Sequence, residues 1–110
     1  MSTFYALGMV ESGNNDYTVG IHHEVSRYQI LPCVWKKYAL PDERYQHPRD
    51  ALSVAQRIMW ARVIEFERCT GTAPTNFQLY VLWNAPRDVM HPSRIVAARA
   101  TRFCNLLSLR

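Results

Sequence analysis

Tyr17-Thr18-Val19-Gly20-Ile21-His22-His23-Glu24-Val25 alternates larger apolar or aromatic side chains with mostly polar or small ones. A period of two places Tyr17, Val19, Ile21, His23 and Val25 on one face of an extended chain, which predicts a strand with that face buried. The preceding Ser12-Gly13-Asn14-Asn15-Asp16 collects residues that tolerate left-handed and turn conformations. Upstream of it, Thr3 to Glu11 is rich in aromatic and aliphatic types. The two segments together predict an antiparallel hairpin.

Working outward, Arg27 to Tyr38 predicts a third extended segment, with Pro32 pointing to an edge strand or a bulge because proline cannot donate to the ladder. Residues 39–47 have no clear period and predict a loop. Pro48 suits the first turn of a helix, and neither Pro nor Gly recurs until Gly71, so a helix is expected from Pro48 to about Arg68. Asn76 to Trp83, bounded by Pro74 and Pro86, is apolar at nearly every position and predicts a central strand covered on both sides. A second helix is expected from Pro92 to near Leu107, capped by His91 or Ser93. The expected architecture is α+β: a small, mainly antiparallel sheet of three to four strands with two helices on one face, in the order β-β-(β)-α-β-α. The whole of residues 1–110 is expected to form one compact domain.

The composition is that of a folded globule, with 48% hydrophobic and 20% charged residues. No apolar stretch is long enough for a membrane span, and the start lacks a basic and apolar leader, which points to a cytoplasmic protein. Cys33, Cys69 and Cys104 are odd in number and widely spaced, as expected of reduced thiols, mostly buried. The net charge of +4 is placed unevenly: from Val89 onward there is no acid, while Arg94, Arg99, Arg102 and Arg110 are all basic. Such a field favours anionic partners.

On the wheel of the first helix, Ala51, Leu52, Val54, Ala55, Ile58, Met59, Ala61, Val63 and Phe66 fall within a broad core arc. Arg62 lies inside that arc with Glu65 on its flank, which predicts a partly buried pair. Trp60 and Ile64 fall on the opposite, polar side and suggest either an interface patch or a surface covered by the segment carrying Trp35 and Tyr38. The second helix places Ile95, Val96, Ala100, Phe103, Cys104, Leu106 and Leu107 on an apolar side, with Arg99 within that arc and Arg94, Thr101, Arg102 and Asn105 on the polar side.

No motif carries recognisable catalysis. His22 and His23 point to opposite faces of a strand and cannot share a metal ion, and no Gly-rich phosphate loop, nucleophile elbow or metalloprotease helix is present. A thiol nucleophile at Cys33, Cys69 or Cys104 with a histidine base is a distant option. Neither enzyme activity, nor a metal, nor a cofactor is expected. Basic residues interleave with aromatics around Arg27, Tyr28, Trp35, Lys36, Lys37, Tyr38, Arg44 and Tyr45, a generic basis for stacking on nucleic acid.

The short chain, its start Met1-Ser2-Thr3-Phe4-Tyr5-Ala6-Leu7, a turn at Gly13-Asn14-Asn15-Asp16 and an outward Trp60 together resemble the small orphan proteins of phages and mobile elements, among them anti-CRISPR proteins. The resemblance implies an inhibitor that occludes a surface of a host defence complex, and it transfers no functional residue. The positive charge departs from members that mimic DNA with acidic surfaces. The expected function is thus a non-enzymatic inhibitor or adaptor that binds a host protein or protein complex through Trp60, Ile64, Arg57, Trp35, Lys36 and Lys37. The alternative is a small RNA- or DNA-binding domain using Arg94, Arg102, Lys36, Lys37 and Tyr38. A homodimer through Trp60 and Ile64 accounts for the patch equally well, and no membrane partner is expected.

Overall fold

The computed structural model describes residues 1–109; Arg110, one of the basic residues noted above, lies outside the described residues. Among the described residues, five α-helices and one short 3-10 turn follow one another: α1 (Thr3–Ser12), α2 (Pro32–Tyr38), α3 (Pro48–Thr70), α4 (Asn76–Asn84), the 3-10 turn Pro86–Asp88 and α5 (Arg94–Leu107). The expected α+β fold is thereby overturned. Among the described residues no sheet forms, and the β pairing is a lone antiparallel bridge in which Val25 and Ile30 exchange N–H···O bonds of 2.8 Å.

Each misread segment has a physical reason. Thr3 to Glu11 contains β-formers such as Phe4, Tyr5 and Val10, yet Ala6, Leu7, Met9 and Glu11 favour a helix and no proline interrupts them. The turn residues after it end this helix instead of joining two strands. Gly13 takes the left-handed conformation at φ 67°, which lets the Asn14 N–H fold back on the Gly8 carbonyl at 3.0 Å.

The expected third strand, Arg27 to Tyr38, divides into loop and helix, because Pro32 sits in the first turn of α2, where its missing N–H costs nothing. The expected central strand over Asn76 to Trp83 is α4. Thr75 accepts from the Gln78 N–H while the Gln78 side chain accepts from the Thr75 N–H, a reciprocal capping box that starts a helix. Continuous apolar character suits a buried helix as well as a buried strand, and Tyr80, Val81, Leu82 and Trp83 are all buried.

The two expected helices form. α3 starts at Pro48 and ends where Gly71 adopts φ 75° and donates to Glu67 O at 2.8 Å. α5 is capped by Ser93, whose hydroxyl accepts from the Val96 N–H at 3.2 Å.

The chain divides into two compact units. One comprises Met1–Ala6 with Met59–Arg110. Its α4 packs on α5, where the Tyr80 and Phe103 rings lie 5.7 Å apart at 41° and both residues are fully buried. The other is Leu7–Ile58, whose buried residues include Leu7, Tyr28, Ile30, Val54 and Ile58. No helix of the described residues is long and apolar enough to cross a membrane.

Candidate functional site

The segment from Gly13 to Leu31 links α1 to α2 without regular structure, yet it is tied down throughout. Ser12 Oγ donates to Arg27 O at 2.7 Å and accepts from the Asn15 N–H at 3.0 Å. The Arg27 guanidinium grips the Asp16 carboxylate with two bonds of 2.7 and 3.0 Å, the fork geometry that gives such pairs their strength. Gln29 donates its amide to Thr18 O and Ser26 O, both at 3.0 Å, and the His22 N–H donates to Glu24 Oε1 at 2.6 Å. Beneath these, Ser26, Tyr28 and Ile30 are buried. Burial pushes the Tyr28 hydroxyl above its ordinary pKa, so it stays a neutral phenol.

Two features make this loop unlike an ordinary connection. Four non-glycine residues stand in the left-handed region: Asn14 (φ 59°), His23 (65°), Ser26 (69°) and Gln29 (53°). Each such residue costs on the order of 1 kcal/mol, and such strain gathers at binding and catalytic sites. The second feature is its outer face. Tyr17, Val19 and Ile21, expected as core, are 72%, 64% and 90% exposed. The alternation in the sequence is real, but no strand forms over it and these three side chains are exposed to solvent. Glu11, in the last turn of α1 where that helix runs into the loop, is half-buried.

Of the residues singled out for protein binding, Trp35, Lys36, Lys37 and Arg57 lie in the unit Leu7–Ile58. Arg57 is committed to structure. Its guanidinium makes a two-bond pair with Glu43, at 2.5 and 3.0 Å, and donates to Tyr38 O at 3.2 Å, clasping residues 38–43 to α3. That guanidinium holds the Glu43 carboxyl below its ordinary range. Trp35 stands edge-on to Tyr45, centroids 5.8 Å apart, and is half-buried. Lys36 is exposed, and Lys37 lies over the Tyr38 ring at 5.4 Å.

Trp60 and Ile64 belong to the other unit. Trp60 is 69% exposed, so no segment covers it, and Ile64 is half-buried. The expected Arg62 and Glu65 pairing is replaced by a different arrangement. Arg62 donates to the carbonyls of Leu82, at 3.0 Å, and Trp83, and stacks over the Trp83 ring at 5.7 Å. Those carbonyls close α4. In a longer helix Leu82 O would receive the N–H of residue 86, but Pro86 has none, and Arg62 supplies the donor. Glu65 faces Arg68 at 3.8 Å and accepts from the Cys69 thiol at 3.4 Å, which raises the pKa of that thiol.

The nucleic-acid set is divided between the units: Lys36, Lys37 and Tyr38 in one, Arg94 and Arg102 in the other. Arg94, Arg99 and Arg102 are all exposed on α5, which moves Arg99 out of the apolar arc assigned to it. The cysteines also differ from expectation. Cys33 and Cys69 are exposed and only Cys104 is half-buried, with burial raising its pKa. Among the described residues no three metal-ligating side chains converge.

The exposure of Tyr17, Val19 and Ile21 was missed because a period of two cannot say which face is inward. The signal available was the density of Gly, Asn and His in and around it, which favours left-handed turns over a continuous ladder. Comparison with protein-family models, with curated proteins and with solved structures gives no match.

Proposed function

We propose that this chain is a binding protein that docks on and occludes a surface of a protein partner. The observation that supports the reading is the exposure of Tyr17, Val19 and Ile21 on a loop tied across by the Asp16 and Arg27 pair. Exposed apolar side chains on an ordered loop lose little conformational freedom on docking, which favours affinity. Trp60, at 69% exposure, offers a second anchor of the type that dominates interface energetics. The resemblance to anti-CRISPR-type proteins extends the reading to a complex of host defence.

A tagged pull-down from lysate of the native host, with nuclease, tests it. Wild type should retain a discrete protein complex, while Trp60→Ala and a Tyr17→Ser/Val19→Ser/Ile21→Ser variant should each weaken capture by roughly 30-fold, the consequence of losing about 2 kcal/mol at a hot spot. Unchanged capture by both variants, folded by circular dichroism, would sink the proposal.

A second reading is favoured by the backbone of the same loop. Left-handed residues at Asn14, Ser26 and Gln29 stand in a segment that follows the half-buried Glu11 in the chain and contains the ion-paired Asp16. A glutamate partly withdrawn from solvent at the start of a loop with left-handed backbone is an arrangement used in acid–base chemistry. Turnover of any of a panel of chromogenic glycosides, esters and phosphodiesters, lost in Glu11→Gln with the melting temperature unchanged, supports this reading. Absence of turnover across the panel removes it.

A further inference from the structure

The net charge of the molecule resides in one of its units. Met1–Ala6 with Met59–Arg110 carries seven arginines against three acids, whereas Leu7–Ile58 has six basic and six acidic residues. Within the charged unit, α5 concentrates the excess. Arg94, Arg99 and Arg102 are exposed, and none of their guanidinium groups makes a hydrogen bond or ion pair among the described residues. Ala98, Thr101 and Asn105 are exposed with them. At about 100° per residue these positions form one continuous arc of roughly 160°, and no acid occurs anywhere on the helix. Arg94 also sits in the first turn of α5, where the helix macrodipole disfavours a cation. A charge placed against a local rule, with no side-chain partner among the described residues, is the kind of departure expected at a functional surface.

We infer that this face of α5 docks on the phosphodiester backbone of a nucleic-acid duplex. Charge decides for a polyanion. Arginine, threonine and asparagine are the side chains that donate to phosphate oxygens, and the small Ala98 between them leaves room for close approach of the helix. Arg94 and Arg102 are separated by about 12 Å along the axis, the span of three to four nucleotides of one strand. An acidic protein partner fits less well, because the arc has no aromatic anchor and its one large apolar side chain is Ile95, 70% exposed. A lipid surface fits less well too, since the apolar side of α5 is occupied internally by Ala100 and Phe103, both fully buried.

The full chain is titrated into a fluorescein-labelled 24-base-pair DNA duplex of mixed sequence, followed by anisotropy from 50 to 200 mM NaCl. Three neutralised phosphates predict a log–log salt slope of about −2.7, a loss of roughly 40-fold in affinity over that range. The Arg94→Gln/Arg99→Gln/Arg102→Gln variant should lose this binding and its salt dependence while keeping the wild-type melting temperature. If the triple variant fails to fold, Arg102→Gln alone should lower the slope by about one. Arg68→Gln, on the same unit but off this arc, should bind as wild type does. The inference is overturned by no binding at 50 mM salt, by equal loss in Arg68→Gln, by unchanged binding in the folded triple variant, or by a polyglutamate peptide or phosphatidylglycerol vesicles displacing the duplex at lower anionic charge.

Discussion

Arg62 shows how a single side chain can look misplaced until its partners are known. On the helical wheel it is a cation in an apolar arc, and the neighbour available in sequence was Glu65. The structure joins it instead to two carbonyls about 20 residues away, at the end of α4, where Pro86 leaves Leu82 O without its regular donor. The Arg62→Met variant keeps the apolar stem and removes the donors. It should lose about 1–3 kcal/mol in urea denaturation, the cost of leaving charge-assisted carbonyl bonds unmade. Arg62→Lys, with one compact ammonium, should recover part of that loss. A loss below about 0.5 kcal/mol for the methionine variant would show that water caps α4 adequately.

At the scale of elements, α3 and α5 could be read from the sequence because their signals are local and redundant: Pro at the start, a period of 3.6, and Gly71 or Ser93 at an end. α4 could not be read by periodicity, since a helix buried on all sides has no polar face to set its period. The discriminating feature was Thr75 with Gln78 three residues on, a helix start that no strand would need. α1 failed for a related reason: its turn chemistry at Gly13 and Asn14 is correct for a chain reversal, and a helix end uses the same residues as a hairpin. The clasp between α3 and the loop after α2 carries its own pH dependence. Glu43 has its carboxyl pKa depressed by the Arg57 guanidinium, so the clasp contributes stability above the ordinary carboxylate range and loses it as pH falls through the lowered value. Amide exchange at Leu40, whose N–H donates to Glu43 Oε1 at 2.7 Å, should therefore quicken, relative to pH-corrected intrinsic rates, only below the ordinary carboxylate range. In Glu43→Gln the protection should be weaker at pH 7 and flat with pH, and an identical profile in both proteins would refute the clasp.

For the molecule as a whole, apolar character along the sequence did not by itself say which side chains go inside and which outside. Trp60 does point outward, but Tyr17, Val19 and Ile21 meet water, while Ser26, Tyr28 and Ile30 of the same loop are the buried ones. Since the exposed three contribute little to the fold, Tyr17→Ser/Val19→Ser/Ile21→Ser should keep the melting temperature within a few degrees of wild type, as substitutions at exposed positions do. A fall of ten degrees or more would mean that they are covered in solution. One consequence of the Arg62 arrangement belongs to the order of synthesis. Arg62 leaves the ribosome about one to four seconds before Leu82 at ordinary elongation rates. The donor that ends α4 therefore emerges ahead of the two carbonyls it serves, and is in place when they follow.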